Sequence, residues 1–166
     1  MKYKEITGDL FKVPNEYELV HCISADLEML GGIVEGFNKR WDLKNLLLSS
    51  MGLSASFYKF NKFGGFDIER KVTGDDGVER VVHSLVTKRL VTDKPTYKNI
   101  FNALVMMKRT ILNRTSQYYE VDVEHIKIAM PLIGCGIDGQ EWEKVSLLVK
   151  RAFEDTPWEI LVCKLR

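Results

Sequence analysis

Two residues of this chain, Lys88 and Asp138, have the types needed for nucleophilic or acid and base chemistry; Lys88 falls at the end of a strand-like pattern, and Asp138 directly after a glycine loop. A lysine amine withdrawn from water is more easily deprotonated and becomes a nucleophile. At a strand end the simpler reading is a solvated side chain. Asp138 closes a loop that also carries Gly134 and Gly136. An aspartate there is either a proton-transfer group or the N-cap of the helix that the pattern starts near Gln140. The two glycines let the backbone approach an anion closely or take positive φ, and the helix start behind them offers unpaired N–H groups. An ordinary tight turn between strand and helix would read the same way.

A second loop has the same character. Gly31-Gly32 follows a short apolar run and opens an amphipathic helix with Ile33, Phe37 and Trp41 on one face. If both strands are central and parallel, the two loops leave the same sheet edge and close on one ligand from two sides. Asp9, after Gly8, reads as a turn former or as a carboxylate that accepts from a base amine. His21 lies within an apolar run and reads as a core residue. Cys135 reads as a small packing residue, because no histidine is near it in sequence, and Trp142 as a cover for the core beside the loop.

The elements that must position these residues follow from periodicity. Strands are expected over residues 2–7, 18–23, 55–60, 80–87, 126–130 and 158–165. Helices are expected over 33–41, 43–50, 97–113 and 141–154, with one turn at 10–13. Asp75-Asp76-Gly77 marks the tip of a long hairpin over 61–79, and residues 114–122 read as polar loop. Strands alternating with helices around an antiparallel excursion predict one α/β domain with helices on both faces of a mixed sheet.

With 166 residues and 24 Lys plus Arg against 23 Asp plus Glu, the chain has no bulk charge to draw it to nucleic acid. Three widely spaced cysteines in apolar surroundings, Cys22, Cys135 and Cys163, predict reduced thiols in a cytosol-like compartment. The histidines do not cluster in sequence, so no metal site is expected. Neither a signal peptide nor a membrane span is expected.

The segments ITGDLF (6–11), HCISAD (21–26), MLGGIV (29–34), VTKR (86–89), KPTY (94–97), MPLIGCGID (130–138) and WEKVS (142–146), in this order, resemble the macrodomain family. The resemblance is to the branch of terminal ADP-ribose protein glycohydrolases, with ADP-ribose 1″-phosphate phosphatase relatives. It implies a three-layer α/β/α sandwich around a mixed sheet of about six strands. It places Asp9 on the adenine amine, Gly31, Gly32 and Ile33 on the phosphates and distal ribose, and Gly134, Cys135, Gly136 and Ile137 on the other side. Leu10, Ser24, Thr87, Pro131 and Ile133 fall along the same cleft.

Lys88 and Asp138 match the branch's catalytic lysine and aspartate. The implied activity is removal of ADP-ribose from an acidic side chain or a nucleobase through a lysine adduct, without metal or cofactor. The alternatives are an ADP-ribose 1″-phosphate phosphatase and a non-catalytic ADP-ribose reader. The implied partner is ADP-ribose or an ADP-ribosylated substrate, with ADP-ribosylated DNA among the candidates, for a soluble, cytoplasmic monomer. Two positions depart from the branch: Leu30 stands in the first place of a Gly-Ala-Gly loop, and Ala25 where an acidic residue is common.

Overall fold

The computed structural model describes residues 1–117 and 124–165. In order, the chain forms β1 (Lys2–Thr7), a 3₁₀ turn (Leu10–Lys12), β2 (Tyr17–Ser24), α1 (Val34–Trp41), α2 (Leu43–Ser50), α3 (Leu53–Phe63), β3 (Phe66–Thr73), β4 (Glu79–Lys88), α4 (Tyr97–Gln117), β5 (Lys127–Met130), α5 (Trp142–Phe153) and β6 (Glu159–Lys164). The strands make one sheet in the order β1-β6-β5-β2-β4-β3. All neighbours are parallel except β3, which returns antiparallel along β4. The carboxyl ends of β1, β2, β4, β5 and β6 therefore share one edge.

A central strand is apolar on both faces because both faces are covered. On one face Leu19, Ile23 and Val86 meet Phe37 of α1 and Leu43 and Leu47 of α2. On the other, Val20, Ile128 and Val162 meet α4 through Ile100, Leu104 and Met107 and α5 through Val145, Val149 and Phe153. The result is the three-layer sandwich with a mixed six-stranded sheet. No helix among the described residues is long and apolar enough to cross a membrane.

Residues 55–60 are not the expected strand. They lie in α3, where Phe57 and Phe60, one turn apart, pack on the first core. Gly52 and Gly64, at φ 81° and 66°, bound this helix in backbone conformations that glycine takes most readily. The hairpin consequently begins at Phe66 rather than at residue 61 and turns through Gly77 at φ 76°. Helix α4 runs on to Gln117, so Arg114 is helical rather than loop. The rest of that expected loop, residues 118–122, lies outside the described residues.

At the sheet edge opposite the strand ends described above sits a buried ionic cluster. His83 of β4 hydrogen-bonds Asp67 through Nδ1 and Glu18 through Nε2, both at 2.7 Å. Arg114 reaches Glu18 at 2.8 and 2.9 Å and also contacts Glu69. Glu18, Glu69 and His83 bring their donor atoms within 4.8 Å of one another, an arrangement a metal could use, but the Arg114 guanidinium already bridges the two glutamates. Burial alone would push the His83 imidazole down; Asp67 and Glu18 more than offset it and raise it from 6.5 to about 10. Burial likewise opposes Glu18, whose bonds from Arg114 and His83 bring it from 4.5 to about 2.

The two shifts define a window. A raised histidine contributes its full stability below 6.5 and loses it as pH rises through about 10. A lowered glutamate contributes fully above 4.5 and loses it as pH falls through about 2. Thermal melts across pH should therefore show the contributions of His83 and Glu18 both complete between 4.5 and 6.5. The alkaline decline should be absent in His83→Gln.

Candidate active site

The site is assembled by two loops and one strand end. Past β2 the chain shifts register against β4 between Ile23 and Ser24, and stays joined through Ala25 N to Lys88 O at 2.9 Å and Asp26 N to Arg89 O at 3.1 Å. The Asp26 carboxylate then ties the loop together, accepting from Ser24 Oγ at 2.5 Å, Glu28 N at 3.2 Å and Val91 N at 2.8 Å. Leu27 and Met29 are held at φ 54° and 52°, a conformation that costs a non-glycine residue of order 1–3 kcal/mol and persists only where the surroundings enforce it. Gly31 and Gly32 follow at φ 76° and 64°. Ile33, the residue before α1, makes no side-chain cap; Glu35 N and Gly36 N donate to Gly32 O and Ile33 O at 3.3 and 3.0 Å, which leaves the Val34 N–H at the start of α1 for an anion.

The second loop leaves β5 at Pro131. It folds on itself through Ile133 N to Pro131 O at 2.8 Å, Cys135 N to Leu132 O at 3.1 Å and Gln140 N to Gly134 O at 2.8 Å. Gly134 is at φ 73°, and a Cβ there would lie 2.9 Å from Ile100 Cδ1. Ile137 reaches across to the first loop: a Cβ on Gly31 would stand 2.6 Å from its Cδ1. The residue before α5 is Glu141, which makes no side-chain cap bond. Asp138 does not cap the helix.

Instead Asp138 faces Lys88. The Lys88 amine donates to Asp138 Oδ1 at 2.6 Å and to Val91 O at 3.1 Å, with the two side chains only 9% and 15% exposed. Asp26 thus acts at one remove, because its bond to Val91 N fixes the residue whose carbonyl holds the lysine. The pair lies in a cavity of about 410 Å³, large enough for a nucleotide-sized ligand.

Of the residues singled out in the sequence, Ser24, Gly31, Gly32, Ile33, Pro131, Ile133, Gly134, Cys135, Gly136 and Ile137 line this cavity with Lys88 and Asp138. Leu10 and Thr87 are buried, 2% and 1% exposed, and do not line it. Asp9 lies outside its wall, where one oxygen accepts from Phe11 N at 2.9 Å; burial, reinforced by Asp9, pushes the thiol of the lining residue Cys163 up.

All three cysteines line the cavity. Burial, reinforced by Asp138, raises Cys22 to about 12 and Cys135 to about 11, so neither is a thiolate near neutrality. Trp142 donates to Glu5 at 3.1 Å and is not among the cavity residues.

This chain is 34% identical over 160 residues to the ADP-ribose glycohydrolase OARD1 of Bos taurus, across 96% of this chain and 90% of that protein. To the protein of the same name from Homo sapiens it is 33% identical over the same shares. The macrodomain of Mycobacterium tuberculosis DarG superposes with a TM-score of 0.71 at 20% identity, covering 96% of each chain. The chain belongs to the macrodomain family, in its ADP-ribose glycohydrolase branch. No family model matches it.

Several residues of the macrodomain cleft escape sequence reasoning. Val91, Met29, Leu132 and Leu165 line the cavity, and Asp26 braces it, although nothing in spacing or composition separates them from ordinary loop and core residues. Leu30 is 61% exposed and Ile137 70%. Both line the cavity, so the departure at Leu30 adds an apolar rim and does not fill the core.

Proposed function

We propose that this macrodomain binds ADP-ribose along the cleft between its two glycine loops and hydrolyses an ADP-ribosyl linkage to an acidic side chain or a nucleobase. The observation that carries the reading is the 2.6 Å contact between Lys88 Nζ and Asp138 Oδ1 inside the cavity. The pyrophosphate is held by glycine-loop amides and by the start of α1, and Asp9 has one carboxylate oxygen left for an adenine amine. The distal ribose then reaches Lys88.

Asp138 takes a proton from the Lys88 ammonium, and the free amine attacks the anomeric carbon. An N–C bond forms as the C–O or C–N bond to the substrate breaks, and the departing group receives the proton from Asp138. The resulting glycosylamine opens to a Schiff base, and water added with Asp138 as base releases ADP-ribose and restores the amine. Every atom is supplied by enzyme, substrate and one water.

Reduction during turnover tests this chemistry. With an aspartyl- or glutamyl-ADP-ribosylated peptide and cyanoborohydride, mass spectrometry should find ADP-ribose fixed to the peptide containing Lys88. Continued turnover with no adduct would replace lysine attack by water attack, the route of a phosphatase-like site. The three free thiols support a reducing, cytosol-like setting, and we read the working form as a monomer.

A further inference from the structure

A second cavity, of about 470 Å³, lies at the opposite end of β4 from Lys88, and the proposed reaction does not use it. Arg80 in its wall precedes Lys88 by eight residues of that strand, roughly 26 Å at ~3.3 Å per residue. The wall joins Arg80 to the last turn of α1, with Lys39 and Trp41, and to the hairpin tip, with Asp75 and Asp76.

A cation at the end of a helix needs no ligand, because it complements the helix dipole. Arg80 is a different case. It is 6% exposed, and among the described residues no carboxylate pairs with it, whereas the buried charged groups Glu18, His83 and Lys88 each meet an opposite charge. Burial pulls its guanidinium down, and Asp76 opposes this from beyond ion-pair contact. Nη2 donates to backbone, to Val13 O at 2.6 Å and Pro14 O at 2.7 Å, and to Asn15 Oδ1 at 3.4 Å. Nε is buried without a partner, and Nη1 has none either. A buried cation held by neutral oxygens alone is costly, and an anion on Nη1 would supply the missing charge.

The Trp41 indole N–H also has no acceptor among the described residues. Gly74 faces it without a side chain: a Cβ there would stand 3.5 Å from Trp41 Nε1 and 2.9 Å from Asp76 Oδ1. These donors decide the class of anion. A carboxylate pairs best with two parallel N–H groups of one guanidinium, and Arg80 has Nη1 alone to offer. A phosphate group presents three acceptor oxygens and suits single donors from separate elements. Asp76 Oδ1 accepts from Val78 N at 2.9 Å; its other oxygen and Asp75 would repel a bare ion but accept from hydroxyl groups beside the phosphate.

We infer that this cavity is a second binding site, for a small hydroxyl-bearing phosphate monoester. The phosphate meets Arg80, Trp41 and Lys39, and the hydroxyls meet Asp75 and Asp76. The site stands independently of the reaction proposed for Lys88.

The test follows the indole N–H signals of the full isotope-labelled chain, one for each of its three tryptophans, with Trp41 assigned through Trp41→Phe. At constant ionic strength, glycerol 3-phosphate should shift the Trp41 signal saturably, with half-saturation at about 1 mM or below. Inorganic phosphate should bind about fivefold or more weakly, lacking the hydroxyls, and glutarate should leave the signal in place. Arg80→Gln should abolish the shift. Lys39→Glu, at an exposed position that does not endanger the fold, should weaken binding about fivefold or more and decides the matter if Arg80→Gln does not fold. Lys88→Ala should respond as wild type does.

No saturable shift in wild type would overturn the proposal, as would an equal shift by glutarate or undiminished binding by Lys39→Glu or a folded Arg80→Gln. Equal affinity for inorganic phosphate would overturn the part given to Asp75 and Asp76. Loss of the shift in Lys88→Ala would move the phosphate to the other cavity.

Discussion

Lys88→Ala should lower kcat for ADP-ribose release by at least about 10³-fold while leaving the dissociation constant for free ADP-ribose within about threefold of wild type. The split follows from geometry. Lys88 pairs with Asp138, whereas the proposed reading puts the pyrophosphate on the loops at Gly31-Gly32 and Gly134-Gly136, which line the same cavity, so the substitution removes the proposed nucleophile and leaves the cradle. Asp138→Asn keeps the hydrogen bond to the amine but cannot take its proton, and should cost about 10² to 10⁴ in kcat. Combining the two should add little to the loss from Lys88→Ala alone, because the residues act as one unit. Single-turnover assays and calorimetry on the same preparations read the two constants separately. A reader without catalysis would show no turnover to lose, and undiminished turnover in Lys88→Ala would transfer the reaction to water attack.

The second large effect is expected from Gly32→Glu, which should weaken ADP-ribose binding by at least about 100-fold, since like charges brought together at a binding surface cost several kcal/mol. The added carboxylate would enter the cavity wall at the first glycine loop, where the proposed reading puts the phosphates. Gly32 is at φ 64°, so any side chain adds a strain of roughly 1–2 kcal/mol, and Gly32→Ala is the control that carries the strain without the charge. A Cβ at Gly32 meets only Ile137 Cδ1, at 3.6 Å, so the alanine variant should fold and keep most of its affinity. Calorimetry of free ADP-ribose against the three proteins decides the matter: equal binding by Gly32→Glu and wild type would remove the ligand from this cleft.

The order of the fold is legible in the sequence where burial is one-sided or complete. Residues 2–7 alternate, 19–23 are apolar but for His21, and α5 repeats its inward residues with helical period. Residues 55–60 mislead because Phe57, Tyr58 and Phe60 have strand propensity, while the features that make them helical are Gly52 and Gly64 and the one-turn spacing of Phe57 and Phe60. Propensity is a weak guide when a short helix lies against the core by few residues. For the site, Lys88 and Asp138 are 50 positions apart in sequence, and no periodicity joins them; only the family resemblance pairs them before the fold does. The His83 cluster carries no local signal, because its partners come from other strands and from α4; Asp26 bonds its own loop at Ser24 and Glu28, and its bracing bond comes from the distant Val91.

Strand β6 follows the other five in sequence, yet it lies between β1 and β5. Until it emerges, β1 has no parallel neighbour to join, and β5 presents an open edge. The order of synthesis and the order of the sheet are thus opposed at this margin. Asp9 hangs from the end of β1, held there by Gly8 N to Lys164 O at 2.9 Å, so the end proposed for adenine takes shape only when β6 is in place. On the proposed reading, a nascent chain therefore has no complete cleft for the nucleotide until β6 is in place.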